Sequence, residues 1–281
     1  KFQKVAQPRL SRTMGSGAAK HLHDAGPKPI PGERHPSHKC AKEVPAGKTP
    51  VVIVSCGSFS PPTNMHLRLL EEARDAMNAD PRYHVIGGLM SPVHDGYGKK
   101  SLVPMQHRVA MVEASTQSSS WLAADPWESL QEGYTLTALV LDDIRQHFDT
   151  IAVKVGDDDA KAGLVKVVFV CGADLLESFG AKKDDGSWLW APEHREIILD
   201  KCGVVCMERS GTPIQEFIAN DEILSKYKDN ITLMQPTCEN AISSTVIRKL
   251  LQQGKSITYL IPDAARDYIY KHELHKMPQW Q

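Results

Sequence analysis

The chain contains no apolar run approaching the roughly 18 residues that a membrane-crossing helix needs, so no membrane span is expected. Its six cysteines are scattered and include no CxxC pair. A disulfide framework is not expected in a chain of 281 residues, and Cys56 and Cys171, at the ends of apolar runs, read as small buried hydrophobes. The reading is a reducing compartment, cytoplasm or nucleus. Neither GxGxxG nor a GxxxxGK followed by Ser or Thr occurs, so dehydrogenase and P-loop readings lose their usual support. Basic charge is scarce where nucleic acid would need it. The net charge is −1, and ten Lys and Arg against three Asp and Glu are concentrated in residues 1–49, leaving an acidic remainder. That balance argues against nucleic acid as a partner.

Residues 1–49 also lack apolar periodicity and are rich in Pro, Gly, Lys and His. They read as a flexible basic N-terminal extension whose removal should cost little stability. Their first twenty residues have the acid-free composition of an organelle transit peptide; a plain extension is the other reading. His21, His23, His35, His38 and Cys40 read as solvated rather than as a metal site.

From residue 50 the pattern alternates. VVIVS (51–55) suits a strand buried on both faces, and residues 63–78 carry a helical stripe of Leu67, Leu70, Ala73 and Met77. Strands follow at 83–90, 165–171, 203–207 and 231–234, and helices at 105–118, 129–147, 244–253 and 263–273. On 129–147, Leu136, Leu139, Val140 and Ile144 are expected to face inward, and 149–163 reads as an acidic mobile loop. Repeated βα units of this kind imply a single α/β catalytic domain over residues 50–276, a Rossmann-like, doubly wound parallel sheet with C-terminal helices at its side.

Two segments carry the chemistry. Gly57-Ser58-Phe59-Ser60-Pro61-Pro62-Thr63-Asn64-Met65-His66 directly follows the first strand, at the carboxyl end where open α/β sheets bind ligands. Gly57 lets an anion approach the backbone, the next helix start offers free N–H groups, and His66 in its first turn can stabilise charge on a phosphate. Ile242-Ser243-Ser244-Thr245-Val246-Ile247-Arg248 opens a second helix. Ser243 or Ser244 is its natural cap, and Ser244 and Arg248, four residues apart, share one face. Hydroxyls, N–H groups and a guanidinium together suit a polyphosphate. Alone, each segment is also an ordinary helix cap.

Together they resemble the GxFxPxTxxH and ISSTxIR signatures of the HxGH nucleotidyltransferases, with Thr63 and Met65 standing where the superfamily has its first His and its Gly. That departure is similar to the eukaryotic nicotinamide-mononucleotide adenylyltransferases. So are SPVHDGYGKKSLVP (91–104), HRVAMVE (107–113), DPWESLQ (125–131), VCGADLLESF (170–179) and SITYLIPDAARDYIYKH (256–272). The resemblance implies transfer of AMP from ATP to NMN, and to nicotinic acid mononucleotide, giving NAD or its deamido form and pyrophosphate. It implies that Gly57, Ser58 and Phe59 contact ligand, that His66 and Arg248 assist transfer, and that Tyr97 and Lys99 lie near the NMN phosphate. Tyr134, standing for the vertebrate Trp, would stack on the pyridine, with Thr137 beside the carboxamide and Leu189 and Trp190 around the ring. Gly172 and Asp174 would approach the adenosine; Arg209, Asn240, Ser244 and Thr245 complete the set. Extra residues within AKKDDGSW precede Leu189 and put the loop there in question, and the short 149–163 connector lacks the basic insertion of the nuclear vertebrate form. Mg²⁺ would be held mainly through ATP phosphates, since the sequence offers no dedicated carboxylate cage. Association into a homo-oligomer stays open, as do another small-molecule nucleotidyl transfer and a chaperone-like second role.

Overall fold

In the computed structural model the described residues are 33–209, 213–238 and 240–281. The transit-peptide reading and His21 and His23 lie outside them. In chain order the elements are β1 Glu43–Val44, β2 Thr49–Gly57, α1 Asn64–Ala79, β3 Tyr83–Pro92, α2 Met105–Thr116, β4 Leu122–Ala124, α3 Thr137–Phe148, β5 Lys154–Val155 and β6 Lys166–Gly172. There follow α4 Ala173–Glu177, α5 Pro192–Glu196, β7 Val204–Met207, α6 Ile214–Asn220, α7 Glu222–Lys226, β8 Ile231–Met234, α8 Ser244–Gln252 and α9 Asp263–Lys271. No helix among the described residues is long and apolar enough to cross a membrane.

Six strands form one parallel sheet in the order β4-β3-β2-β6-β7-β8. β2 is central because both of its faces are apolar: Val52 and Val54 join one buried cluster, Val51 and Ile53 the other. One cluster takes Ala138, Leu141, Ile144 and Phe148 of α3; the other takes Leu70, Ala73 and Met77 of α1. A third, between α2, α8 and α9, closes over Trp280. The chain leaves β2 toward β3 on one side and later returns to β6 on the other, so the switch point of the sheet lies between the carboxyl ends of β2 and β6. Val54 pairs with Phe169 there, which places Gly57 and Gly172 level with each other three residues on.

The boundary expected at residues 49 and 50 moves. Residues 33–44 are folded onto the domain as a strap, which sequence periodicity could not reveal because only Cys40 and Val44 of it reach the apolar core and its other contacts are polar. His35 is fully buried: Nδ1 lies 2.8 Å from Asp125 Oδ2 and Nε2 2.8 Å from Asp143 Oδ1, while Arg34 pairs with Asp143 as well. Ala41 N–H donates to Ile86 O at 2.8 Å, and β1 pairs with β5. Gly87 is required at this crossing, since a Cβ there would overlap the Cys40 sulfur. The far boundary at 276 moves too, because Trp280 is fully buried and its Nε1 donates to Ser60 Oγ at 3.1 Å.

Three smaller expectations also change. The helix expected from 129 starts at Thr137, after a short 3-10 turn at Glu128–Leu130, Gly133 and an extended Leu136. Leu136 and Leu139 consequently stay exposed at 36% and 45%. The 149–163 connector is ordered structure, pinned by β5 and by paired hydrogen bonds between Val153 and Lys161. A three-residue strand, β4, is too short for any periodicity to announce.

Candidate active site

β2 ends at Gly57, and the chain reverses through Phe59 at φ 42° and a cis Ser60–Pro61 bond into α1. A Cβ on Gly57 would come within 3.2 Å of the Phe59 ring, so that ring seals the floor of the turn. Arg108, fully buried on α2, braces it from behind by donating to Val103 O at 2.9 Å, Ser58 O at 3.3 Å and Asp95 Oδ1 at 2.7 Å. This brace was not singled out from sequence; an arginine inside the apolar RVAMV run is the signal that could have exposed it.

His66 sits on the third residue of α1. The Thr63 N–H donates to its Nδ1 at 2.9 Å, with the Thr63 hydroxyl 2.8 Å from the same nitrogen. Nδ1 is thus the acceptor, and the ring proton resides on Nε2. Phe59 packs edge-on at 5.2 Å between centroids. Burial, followed by the Lys99 charge, lowers the His66 pKa to about 4, so the imidazole is neutral across the physiological range.

α8 docks on the same turn. Ser243 Oγ caps it by accepting from Val246 N–H at 3.3 Å, and Ser244 Oγ donates to Pro61 O at 2.8 Å. Arg248 donates through Nη1 to Ser60 O at 2.8 Å and through Nη2 to Thr245 Oγ1 at 3.1 Å. Partial desolvation and then the Arg248 charge pull the Lys99 ammonium below its ordinary value. The structure thus brings together His66, Lys99, Ser244, Thr245 and Arg248. The hydrogen-bonded Arg248 guanidinium, the exposed Lys99 ammonium and a neutral ring donor stand beside two helix N-termini, an arrangement that accepts several phosphate oxygens.

Two residues before Lys99 in the chain, Tyr97 stands 5.5 Å from Tyr134 between ring centroids. Burial, the Tyr97 charge and then Glu128 push the Tyr134 phenol to about 12, and burial followed by Glu128 raises Tyr97. Thr137 opens α3 three residues after Tyr134. Gly172 caps α4 at the end of β6, with open space where a side chain would stand. Asp174 follows and is ion-paired with Arg209 at 2.5 Å, both exposed. Asn240 Oδ1 accepts from Ile242 N–H at 2.8 Å, which leaves its amide nitrogen as donor.

The Leu189–Trp190 pair is not gathered into the same cluster. Leu189 is 45% exposed, whereas the Trp190 ring packs on Phe179 at 4.8 Å and its Nε1 donates to Ser178 Oγ at 3.0 Å. A separate cavity of about 740 Å³ opens at the β4 edge between α2 and the strap, lined by Lys39, Glu113 and Trp127 among others; none of the residues expected at the site lines it. Among the described residues no three His, Cys, Asp or Glu converge to hold a metal ion.

The cytidylyltransferase-like family model matches residues 54–250, both signature segments included. The chain is 40% identical to nicotinamide/nicotinic acid mononucleotide adenylyltransferase 1 of Bos taurus, over 81% of this chain and 89% of that protein. It is equally 40% identical to the Arabidopsis thaliana nicotinamide/nicotinic acid mononucleotide adenylyltransferase, over 81% and 91%. In fold it is similar to Plasmodium falciparum nicotinic acid mononucleotide adenylyltransferase, solved with NaAD, at a TM-score of 0.52 and 19% identity over 80% of this chain and 97% of that one.

Proposed function

The chain belongs to the cytidylyltransferase-like family, and within it to the nicotinamide/nicotinic acid mononucleotide adenylyltransferases; from that premise we propose a direct, in-line adenylyl transfer from ATP to the mononucleotide. The observation that carries this reading is the junction of the two signature segments. Arg248 and Ser244 of α8 are hydrogen-bonded to the backbone of the very turn that presents His66.

The adenosine side of ATP lies toward Gly172 and Asp174, and its polyphosphate lies over the starts of α1 and α8. The mononucleotide phosphate meets Lys99 and Tyr97, with its ring toward Tyr134 and Thr137. A phosphate oxygen of the mononucleotide attacks the α-phosphorus, the pentacoordinate charge is met by His66 Nε2–H and the Arg248 fork, and pyrophosphate departs. No side chain is required as a nucleophile, so the rate comes from positioning and from donors fixed before the reaction begins. The donor set of this chain suits phosphate oxygens rather than a bare cation. Mg²⁺ would therefore be ligated by phosphates and water, and when bound it supplies charge neutralisation on the polyphosphate.

Incubation with ATP plus NMN, and with ATP plus nicotinic acid mononucleotide, followed by chromatography of the products, tests this. NAD and its deamido form with stoichiometric pyrophosphate are expected. The absence of a dinucleotide with either acceptor would reject it. Arg248→Lys separates the two halves of the site. An ammonium cannot hold Ser60 O and Thr245 Oγ1 while still offering a planar pair to phosphate. Roughly a tenfold or greater fall in kcat/KM with ATP varied is expected, with the KM for NMN little changed. A defect confined to NMN would place this helix on the wrong substrate.

A further inference from the structure

The loop that carries Tyr134 is held mainly at its two ends. Glu132, Gly133, Tyr134 and Leu136 are exposed, and none of the N–H groups of residues 132–136 donates to another described residue. Along this stretch the Tyr134 ring has its contact with Tyr97, and α3 then starts at Thr137 without a side-chain cap. The ends are joined by the strap. Upstream, Asp125 Oδ1 accepts from Trp127 N–H at 3.1 Å, at the entry to the 3-10 turn Glu128–Leu130, while its Oδ2 lies 2.8 Å from His35 Nδ1. Downstream, Asp143, in the second turn of α3, lies 2.8 Å from His35 Nε2. One fully buried ring therefore ties residue 125 to residue 143. Arg34 repeats the link from outside: it pairs with Asp143, and its guanidinium carbon stands 5.7 Å from the centre of the Trp127 ring. The other side-chain bonds of the turn, from Ser129 Oγ to Pro92 O and from Ser91 Oγ to Glu128, reach β3 and not α3.

We propose that His35 is a positioning residue for the acceptor: by tying Asp125 to Asp143 it fixes the distance between the two ends of the loop and so holds Tyr134 and Thr137 ready for the pyridine mononucleotide. The proposal rests on the functional reading above, which assigns those two residues to the acceptor. A loop whose ends can separate must be ordered when the ligand arrives, and the entropy lost in ordering it is subtracted from the affinity. The tie removes that cost beforehand. Its effect should be confined to one substrate. Among the described residues none of the strap's hydrogen bonds reaches α1 or α8, the helices that carry His66, Ser244 and Arg248 for the polyphosphate.

The test is the steady-state kinetics of His35→Ala, well below its melting temperature, with each substrate varied in turn. The KM for NMN should rise on the order of fivefold, about the contribution of one aromatic contact that is no longer formed in advance. The KM for ATP and kcat should stay within about twofold, since only binding of the acceptor has been weakened. The same substitution leaves the Asp125 carboxylate buried without its partner, so a second variant separates stability from position. Adding Asp125→Asn removes that charge and keeps an acceptor for Trp127 N–H, but it does not restore the tie. The double variant should melt higher than His35→Ala and keep the raised KM for NMN. A KM for NMN that is unchanged in His35→Ala, or that recovers in step with melting temperature in the double variant, would overturn the proposal. An equal rise in the KM for ATP would do the same, because a merely structural role moves both substrates together. Should His35→Ala fail to fold, the KM for NMN of the double variant decides alone. Dinucleotide made by the variants with an unaltered KM for NMN rejects this proposal alone, whereas no dinucleotide from the natural chain rejects the functional reading beneath it.

Discussion

His66→Ala lowers turnover by a factor on the order of 100 or more, the consequence of losing about 3–4 kcal/mol of transition-state stabilisation when one fixed donor is removed. The same change also frees the Thr63 N–H and hydroxyl that now meet Nδ1. His66→Asn separates the two effects, since its side-chain oxygen can still accept from Thr63 while nothing occupies the Nε2 position. Asn should therefore melt close to the natural chain yet share the kinetic loss of Ala. The pH profile gives an independent check. Burial, together with Lys99, holds the free-enzyme pKa near 4, so kcat/KM for ATP should show no His66 inflection between about pH 5.5 and 7.5. Activity in Asn equal to that of the natural chain would show that the imidazole acts only as a helix cap.

The second large effect is on stability and lies in the N-terminal strap. His35→Ala leaves Asp125 buried without its cationic partner, a loss of roughly 3–5 kcal/mol. In a fold of this size that corresponds to a fall in Tm of roughly 6–20 °C, measurable by calorimetry. A chain beginning at Val44 loses the same clasp and should melt comparably low. Burial pulls the His35 pKa down, but the hydrogen bonds and charges of Asp125 and Asp143 carry it above its ordinary value overall. The sign follows from linkage. The clasp contributes fully below the unfolded value of about 6.5 and is lost as pH rises through the raised folded value. The difference in Tm between the natural chain and His35→Ala should shrink on the alkaline side. A constant difference, or one that grows with pH, would mean that His35 is held as a neutral ring.

What the sequence could and could not disclose follows from the range of the interactions. β2, α1 and α8 were legible because each is announced within a dozen residues, by an apolar run, a stripe or a cap. The meeting of His66 with Arg248 followed only from resemblance, since the hydrogen bond from Arg248 to Ser60 O spans 188 positions. The strap was missed because its buried polar clasp, one imidazole between two carboxylates 90 and 108 positions away, leaves no local signal in the sequence. Composition reads such a segment as solvated. Trp280 was missed for a similar reason, as a lone aromatic beyond the last helical stripe. α3 shows the opposite failure. Of the expected inward face, Val140 and Ile144 are buried, but Leu136 and Leu139 are not, and the core takes Ala138, Leu141 and Phe148 instead. Glu128 was quoted as part of a motif without a role, because nothing in DPWESLQ states that its carboxyl is buried against Ser91.

Direct in-line transfer is the claim on which the rest depends, and stereochemistry at phosphorus tests it most directly. ATP bearing sulfur in place of one non-bridging α-oxygen, in a single configuration, is turned over with NMN, and the configuration of the thio-dinucleotide is read by phosphorus NMR. One displacement at a site with no enzyme nucleophile predicts inversion. Retention would require two displacements through a covalent adenylyl-enzyme, and the account of His66, Lys99 and Arg248 as donors around a single transfer would be contradicted.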